Sequence, residues 1–117
     1  MTKPVVRNDI HDDVFHAAYC ADRLKVLGDP LRLRIIDLLR SGELTVGDIC
    51  KFLEVELGTV SHHLQILKHG KFITSRRDGR FMHYRLYEGL LQKYNSDKPV
   101  LDLGCCTLKL SQVSSAG

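Results

Sequence analysis

Between residues 57 and 86 the apolar period of this chain switches from helical to strand-like. In the first half, Leu57, Val60, Leu64 and Leu67 recur at helical spacing, while Gly58, Thr59, His62, Gln65 and His69 fall opposite them. The second half holds two strand-like runs, near residues 72–76 and 80–86, on either side of Asp78-Gly79. Asp-Gly favours a type I′ turn because glycine takes a positive φ at little cost. The pattern predicts a helix over residues 57–69 that feeds directly into a hairpin carrying Arg76, Arg77 and Arg80. A helix with a hydrogen-bonding face, followed by a basic hairpin, suits DNA: the helix enters the major groove and the hairpin follows the backbone.

The charge is concentrated in the same stretch. Residues 57–87 contain six basic side chains (Lys68, Lys71, Arg76, Arg77, Arg80 and Arg85) and one acid, Asp78, a net of +5. The rest of the chain holds eleven basic and thirteen acidic groups, a net of −2, so the overall +3 conceals a local positive surface. Such a surface gains affinity for nucleic acid by neutralising phosphates.

At 117 residues, the chain has the length of one domain with one core. Its 44% hydrophobic and 26% charged residues are ordinary for a soluble globular protein. No apolar run is long enough to span a bilayer, and MTKPVVRNDIHDD at the N-terminus lacks the apolar core of a signal peptide. The expected location is the cytoplasm, with no membrane partner. The four cysteines are then expected to be reduced at rest, as core residues, metal ligands or redox switches and not as a disulfide framework.

The expected organisation is an N-terminal arm over residues 1–11, a helix-and-hairpin domain over 12–95 and a C-terminal tail over 96–117. Residues 12–26 read as a first helix with an apolar stripe of Val14, Ala17, Ala18, Ala21 and Leu24, stopped by Gly28. Asp29 as N-cap and Pro30 at the first helical position open a second helix, buried through Leu31, Ile35, Leu38 and Leu39 and ended by Ser41-Gly42. Thr45 caps a short third helix whose Val46, Ile49, Cys50 and Leu53 share one side. Together with the helix over 57–69, this makes a helix-turn-helix. A fifth helix is expected over 87–94, amphipathic through Leu90, Leu91 and Tyr94 and broken by Asn95-Ser96-Asp97-Lys98-Pro99. Residues 100–110 read as extended or strand-like around Gly104-Cys105-Cys106. The fold class is mainly α with a small β-hairpin: a winged helix-turn-helix of order α-α-α-α-β-β-α with an extended C-terminal tail.

LGDPLRLRIIDLL (27–39), GELTVGDIC (42–50), TVSHHLQILKHG (59–70) and RRDGRFMHYRL (76–86) follow one another in an order and spacing that resemble the ArsR/SmtB winged-helix repressors. That family senses metals, metalloids or oxidants. The resemblance covers about residues 12–94. It implies a homodimer joined through the first and fifth helices, an operator of two-fold symmetry in double-stranded DNA, and release when an inducer binds. The chain departs from the family pattern in three places. Arsenic sensors of the family often carry ELCVCDLC in the third helix; here Thr45 and Gly47 occupy two of the thiol positions and only Cys50 remains. One thiolate cannot hold a soft ion alone. The His and acid ligands that zinc sensors carry on the fifth helix are also missing, since no His follows His83. Glu56 stands where a Ser usually caps the DNA-reading helix.

Thr59, Ser61, His62 and Gln65 are donors and acceptors that can reach base edges. His63 lies beside the apolar arc and reads equally as DNA-facing or as packed in the domain. Arg76, Arg77 and Arg80 are expected to meet phosphate or the minor groove, with Lys68 and Lys71 as further phosphate contacts or solvated charges.

Cys105-Cys106 is the chemical outlier. Soft thiophilic species such as arsenite, antimonite or Cd²⁺ want several thiolates together, and two vicinal thiols supply most of a three-thiolate site. A third would come from Cys20 or Cys50, in the same subunit or its partner. Cys20 lies on the side of Ala17, Leu24 and Leu27, whereas Cys50 fits the apolar side of its helix and reads first as a small buried residue. Asp12, His16 and Cys20, spaced i, i+4, i+8, with His11 nearby, fall short of a metal motif. The expected function is a repressor that needs no cofactor to bind DNA and is released by a thiol-binding inducer. Two alternatives are a repressor switched by cysteine oxidation and a small thiol enzyme. The enzyme is disfavoured, because the chain has no Cys-x-x-Cys, no nucleotide-binding glycine loop and no evident nucleophile–base pair.

Overall fold

The computed structural model describes residues 15–92 and 100–110. The element order is α1 (Ala17–Leu27), α2 (Pro30–Leu39), β1 (Leu44–Thr45), α3 (Val46–Leu53), α4 (Leu57–His69), β2 (Ile73–Asp78), β3 (Phe81–Leu86), β4 (Leu91–Gln92), β5 (Val100–Asp102) and β6 (Thr107–Lys109). Among the described residues this is a winged helix-turn-helix with four helices and two small antiparallel sheets, ordered β1-β3-β2 and β4-β5-β6.

The helix starts follow their caps. Asp29 accepts the N–H groups of Leu31 and Arg32 at 2.8 and 3.2 Å, with Pro30 at the first turn of α2. Desolvation pushes its carboxyl up, but those two N–H groups outweigh it and hold Asp29 below the ordinary range. Thr45 accepts the Asp48 N–H at 3.1 Å and starts α3. Helix α4 begins after Glu56, whose side chain makes no capping bond.

One core joins these elements. Ile35, Ile36 and Leu39 of α2, Ile49 and Leu53 of α3, and Val60, Leu64 and Leu67 of α4 meet Phe72, Ile73 and Tyr84 of the wing. Leu90, Leu101 and Leu103 enter the same cluster, so the C-terminal hairpin packs on the helical core. Leu57, predicted in the buried arc of α4, is exposed at its first turn.

Helix α1 turns an unexpected side inward. Cys20 and Leu27 are buried, whereas Ala17, Ala18, Ala21 and Leu24 of the predicted stripe face outward with Phe15 and Tyr19. Val14 lies outside the described residues, as do the arm 1–11 and Asp12.

The wing differs from expectation in its turn. Asp78 pairs with Phe81, so the two-residue loop is Gly79-Arg80 and not Asp78-Gly79. Gly79 takes φ 67° and Arg80 keeps a negative φ, the signature of a type II′ turn and not type I′. The sequence reading also missed β1, which adds Leu44 and Thr45 to β3 opposite Tyr84 and His83.

The fifth helix is corrected. Residues 87–90 form a turn, closed by Leu90 N–H on the Tyr87 carbonyl at 3.0 Å, with Gly89 at φ 88°. β4 follows and pairs with β5. Eight residues containing a glycine make a marginal helix, and the edge of β5 offers the backbone another partner. Lys93 and Tyr94, the end of that predicted helix, lie outside the described residues. The strand-like reading of the tail matches β5 and β6. Among the described residues, no helix is long and apolar enough to cross a membrane.

Candidate DNA interface and sulfur cluster

Val60, Leu64 and Leu67 fix the rotation of α4, and so decide which side chains it shows to the outside. Gly58, His62, Gln65, Lys68 and His69 are exposed; Thr59, Ser61 and His63 are half-buried. The Thr59 hydroxyl donates to Glu56 Oε2 at 3.4 Å. His62 and Gln65 thus stand outermost with both donor and acceptor capacity, the equipment a base edge requires.

His63 is engaged inside the domain. Arg32 Nε donates to the Val26 carbonyl at 2.5 Å and its Nη1 meets His63 Nδ1 at 3.0 Å. A guanidinium only donates, so Nδ1 stands on the accepting side of this contact. The pair ties α4 to α2 and to the end of α1.

The wing arginines divide in the same way. Arg76 grips Glu43 as a fork, with Nε at 3.0 Å from Oε2 and Nη2 at 2.7 Å from Oε1. That hydrogen-bonded fork overcomes partial desolvation and holds the Glu43 carboxyl below its ordinary range. His83, opposite Arg76 on β3, lies 3.8 Å from Glu43 and 3.9 Å from Asp78. Arg76 therefore braces the wing, while Arg77 and Arg80 are exposed and form no ion pair among the described residues. Arg80 occupies the wing tip. Lys71 is exposed directly after α4, in a left-handed conformation at φ 64°.

The cysteines converge from opposite ends of the chain. The loop 103–106 joins β5 to β6; Leu103 N–H reaches the Cys106 carbonyl at 2.9 Å and Gly104 N–H reaches Asp102 Oδ1 at 2.9 Å. Gly104 adopts φ 91°, which turns the loop so that both thiols meet α1. Cys20 and Cys105, 85 positions apart in sequence, are joined in a disulfide with Cα atoms 5.7 Å apart. This departs from the expectation of four reduced thiols. Cys106 is not bonded; its Sγ lies 3.4 Å from that of Cys20 and 3.9 Å from that of Cys105. All three sulfurs lie within 4.8 Å of one another. Cys20 is buried and the other two half-buried. Cys50 does not join them: it packs against the core from α3, as the apolar side of that helix dictates. His16 is exposed ahead of α1 and belongs to no ligand cluster among the described residues; His11 lies outside them. A trio of sulfurs fits a soft three-coordinate species once the disulfide is reduced, and fits thiol–disulfide chemistry as it stands.

Two arginines of this arrangement, Arg23 and Arg32, and one acid, Glu43, went unnoticed in the sequence. Arg23 had a legible signal, because it follows Cys20 by three positions on one helix face.

Residues 29–74 match the model of the bacterial regulatory protein, arsR family. The transcriptional repressor SdpR of Bacillus subtilis is 41% identical over 68 residues, spanning 58% of this chain and 76% of that protein. The arsenical resistance operon repressor of Staphylococcus xylosus is 36% identical over 85 residues, 70% of this chain and 82% of that protein. Among solved structures, the homodimeric winged helix-turn-helix DNA-binding domain of a possible ArsR-family regulator from Mycobacterium bovis superposes with a TM-score of 0.56 at 32% identity, covering 73% of each chain.

Proposed function

This chain belongs to the arsR family of bacterial regulatory proteins, and from that premise we propose that it is a homodimeric repressor released from its operator by a thiophilic inducer. Helix α4 reads base edges through Thr59, Ser61, His62 and Gln65, and Arg77, Arg80 and Lys68 hold phosphates. The outward apolar face of α1, with Phe15, Tyr19 and Leu24 exposed, is the natural cover for a second copy. A two-fold dimer sets its two reading helices one DNA turn apart, about 34 Å, on a symmetric operator.

The observation that carries the inducer class is the trio Cys20, Cys105 and Cys106, three sulfurs within 4.8 Å drawn from α1 and the C-terminal hairpin. Three thiolates suit arsenite, antimonite or a soft divalent ion such as Cd²⁺. The Staphylococcus xylosus relative, an arsenical resistance operon repressor, supports the same class. An inducer that binds one dimer shape better than the other shifts the DNA equilibrium, typically by about 1–3 kcal/mol.

The Cys20–Cys105 bond favours a second reading, in which oxidation is the signal. Fluorescence anisotropy of the reduced protein on DNA from upstream of its own gene separates the two. Release by arsenite or Cd²⁺ alone supports the soft-ion site; release by mild oxidant alone supports the redox switch. A C105S/C106S protein is expected to bind DNA and to ignore the inducer, and normal release of that double variant sinks the site.

A further inference from the structure

We infer that Arg23 is the positioning residue through which the state of the sulfur cluster reaches the DNA-reading helix. This rests on reading the cluster as the regulatory site. Arg23 lies one turn beyond Cys20 on α1 and is half-buried. Its Nε donates to the Leu103 carbonyl at 3.3 Å, two residues before Cys105. Its Nη1 donates to the Gly70 carbonyl at 2.6 Å, at the residue that closes α4. Its Cζ lies 4.1 Å from the centroid of the Phe72 ring, which is fully buried.

Among the described residues, this is the one side chain hydrogen-bonded to both the cysteine hairpin and the end of α4. Both acceptors are coupled to what they would report. The Leu103 carbonyl shares its peptide with the Gly104 N–H, held by Asp102 Oδ1 at 2.9 Å, and the Leu103 N–H is held by the Cys106 carbonyl at 2.9 Å, so a change of bonding at Cys105 or Cys106 acts on the Leu103 carbonyl from both sides. At the other end, the Gly70 carbonyl shares its peptide with the Lys71 N–H, which bonds the Lys68 carbonyl at 3.0 Å, and Gly70 N–H bonds the Ile66 carbonyl at 3.0 Å, so that carbonyl is tied to the last turn of α4. A guanidinium is a rigid planar fork: shifting one acceptor reorients the donor at the other. Lysine places its three donors on one rotatable point charge, so it has no planar fork to couple the positions of two carbonyls.

Amide hydrogen exchange on the full chain tests this, with the cysteines oxidised and then reduced by dithiothreitol, in wild type, R23K and R23Q. In wild type, reduction is expected to speed exchange at the amides of Gly70 and Phe72 about tenfold, the scale of one lost charge-assisted hydrogen bond. Both variants are expected to exchange at the fast rate in either state, while the loss of two hydrogens by mass still reports the Cys20–Cys105 bond. A purely structural role would raise the rates yet leave the redox difference in place. Identical wild-type rates in the two states, or a full redox difference in R23K, overturns the relay. If wild-type exchange responds but its DNA affinity ignores both oxidant and arsenite, the relay stands and the repressor-switch reading fails.

Discussion

Arg32 holds His63 on α4 and Glu43 holds Arg76 on the wing, so these two side chains are engaged within the domain. Packing of His63 was one of its two readings, but neither partner was legible, because they lie 31 and 33 positions away in sequence and only the fold brings them together. The exposed donors His62 and Gln65 were legible, because helical periodicity alone puts them opposite Val60, Leu64 and Leu67. This division predicts different phenotypes. Q65A should change operator preference with little change in Tm, whereas H63A should cost about 1 kcal/mol of stability, roughly 4–8 °C in Tm. R80A should weaken binding to all sequences alike and reduce the slope of log affinity against log salt by about 0.9. Glu43 adds a pH signature. Its folded-state carboxyl is held below the ordinary value of 4.5, so its contribution is present above that value and lost as pH falls through the lower folded one. Thermal melts of wild type should therefore lose stability on that acid limb more steeply than those of E43Q. Equal acid limbs would mean that the Arg76 fork contributes nothing.

At the scale of elements, the caps gave the right starts, while periodicity misjudged which side of α1 is buried. Asp29-Pro30 and Thr45 start α2 and α3 as their chemistry dictates. The wing was legible as a hairpin but not in register, because two-residue loops at Asp78-Gly79 and Gly79-Arg80 differ by a single step and the choice rests on cross-strand pairs such as Arg76 with His83. The expected fifth helix gave way to a turn and β4, since a weak local helix lost to pairing with β5. Gly79 at φ 67° makes the wing turn sensitive to a side chain at this position. G79A should cost about 1–2 kcal/mol, seen as faster exchange of the amides of β2 and β3 with the Cys20–Cys105 bond unaffected. Unchanged wing protection would show that the turn tolerates a side chain.

Over the whole molecule, the first helix and the last hairpin close on each other across the helix-turn-helix, joined by Cys20, Cys105 and Cys106. The vicinal pair announced itself in the sequence, and the apolar side of α3 already spoke against Cys50, but the reach of Cys20 to the pair was not legible, because Cys20 and Cys105 are 85 positions apart. The same geometry links that closure to the end of α4 through Arg23. The central claim is that this sulfur cluster governs DNA binding, and Cys20 is the sulfur that makes it a link between α1 and the tail and not a local feature of the hairpin. Its most direct test is the operator Kd of reduced wild type and reduced C20S, each without arsenite and at saturating arsenite. Both proteins should bind alike without arsenite, and only wild type should weaken, by about tenfold or more, within the usual range of allosteric coupling. Equal release of C20S and wild type would contradict the account.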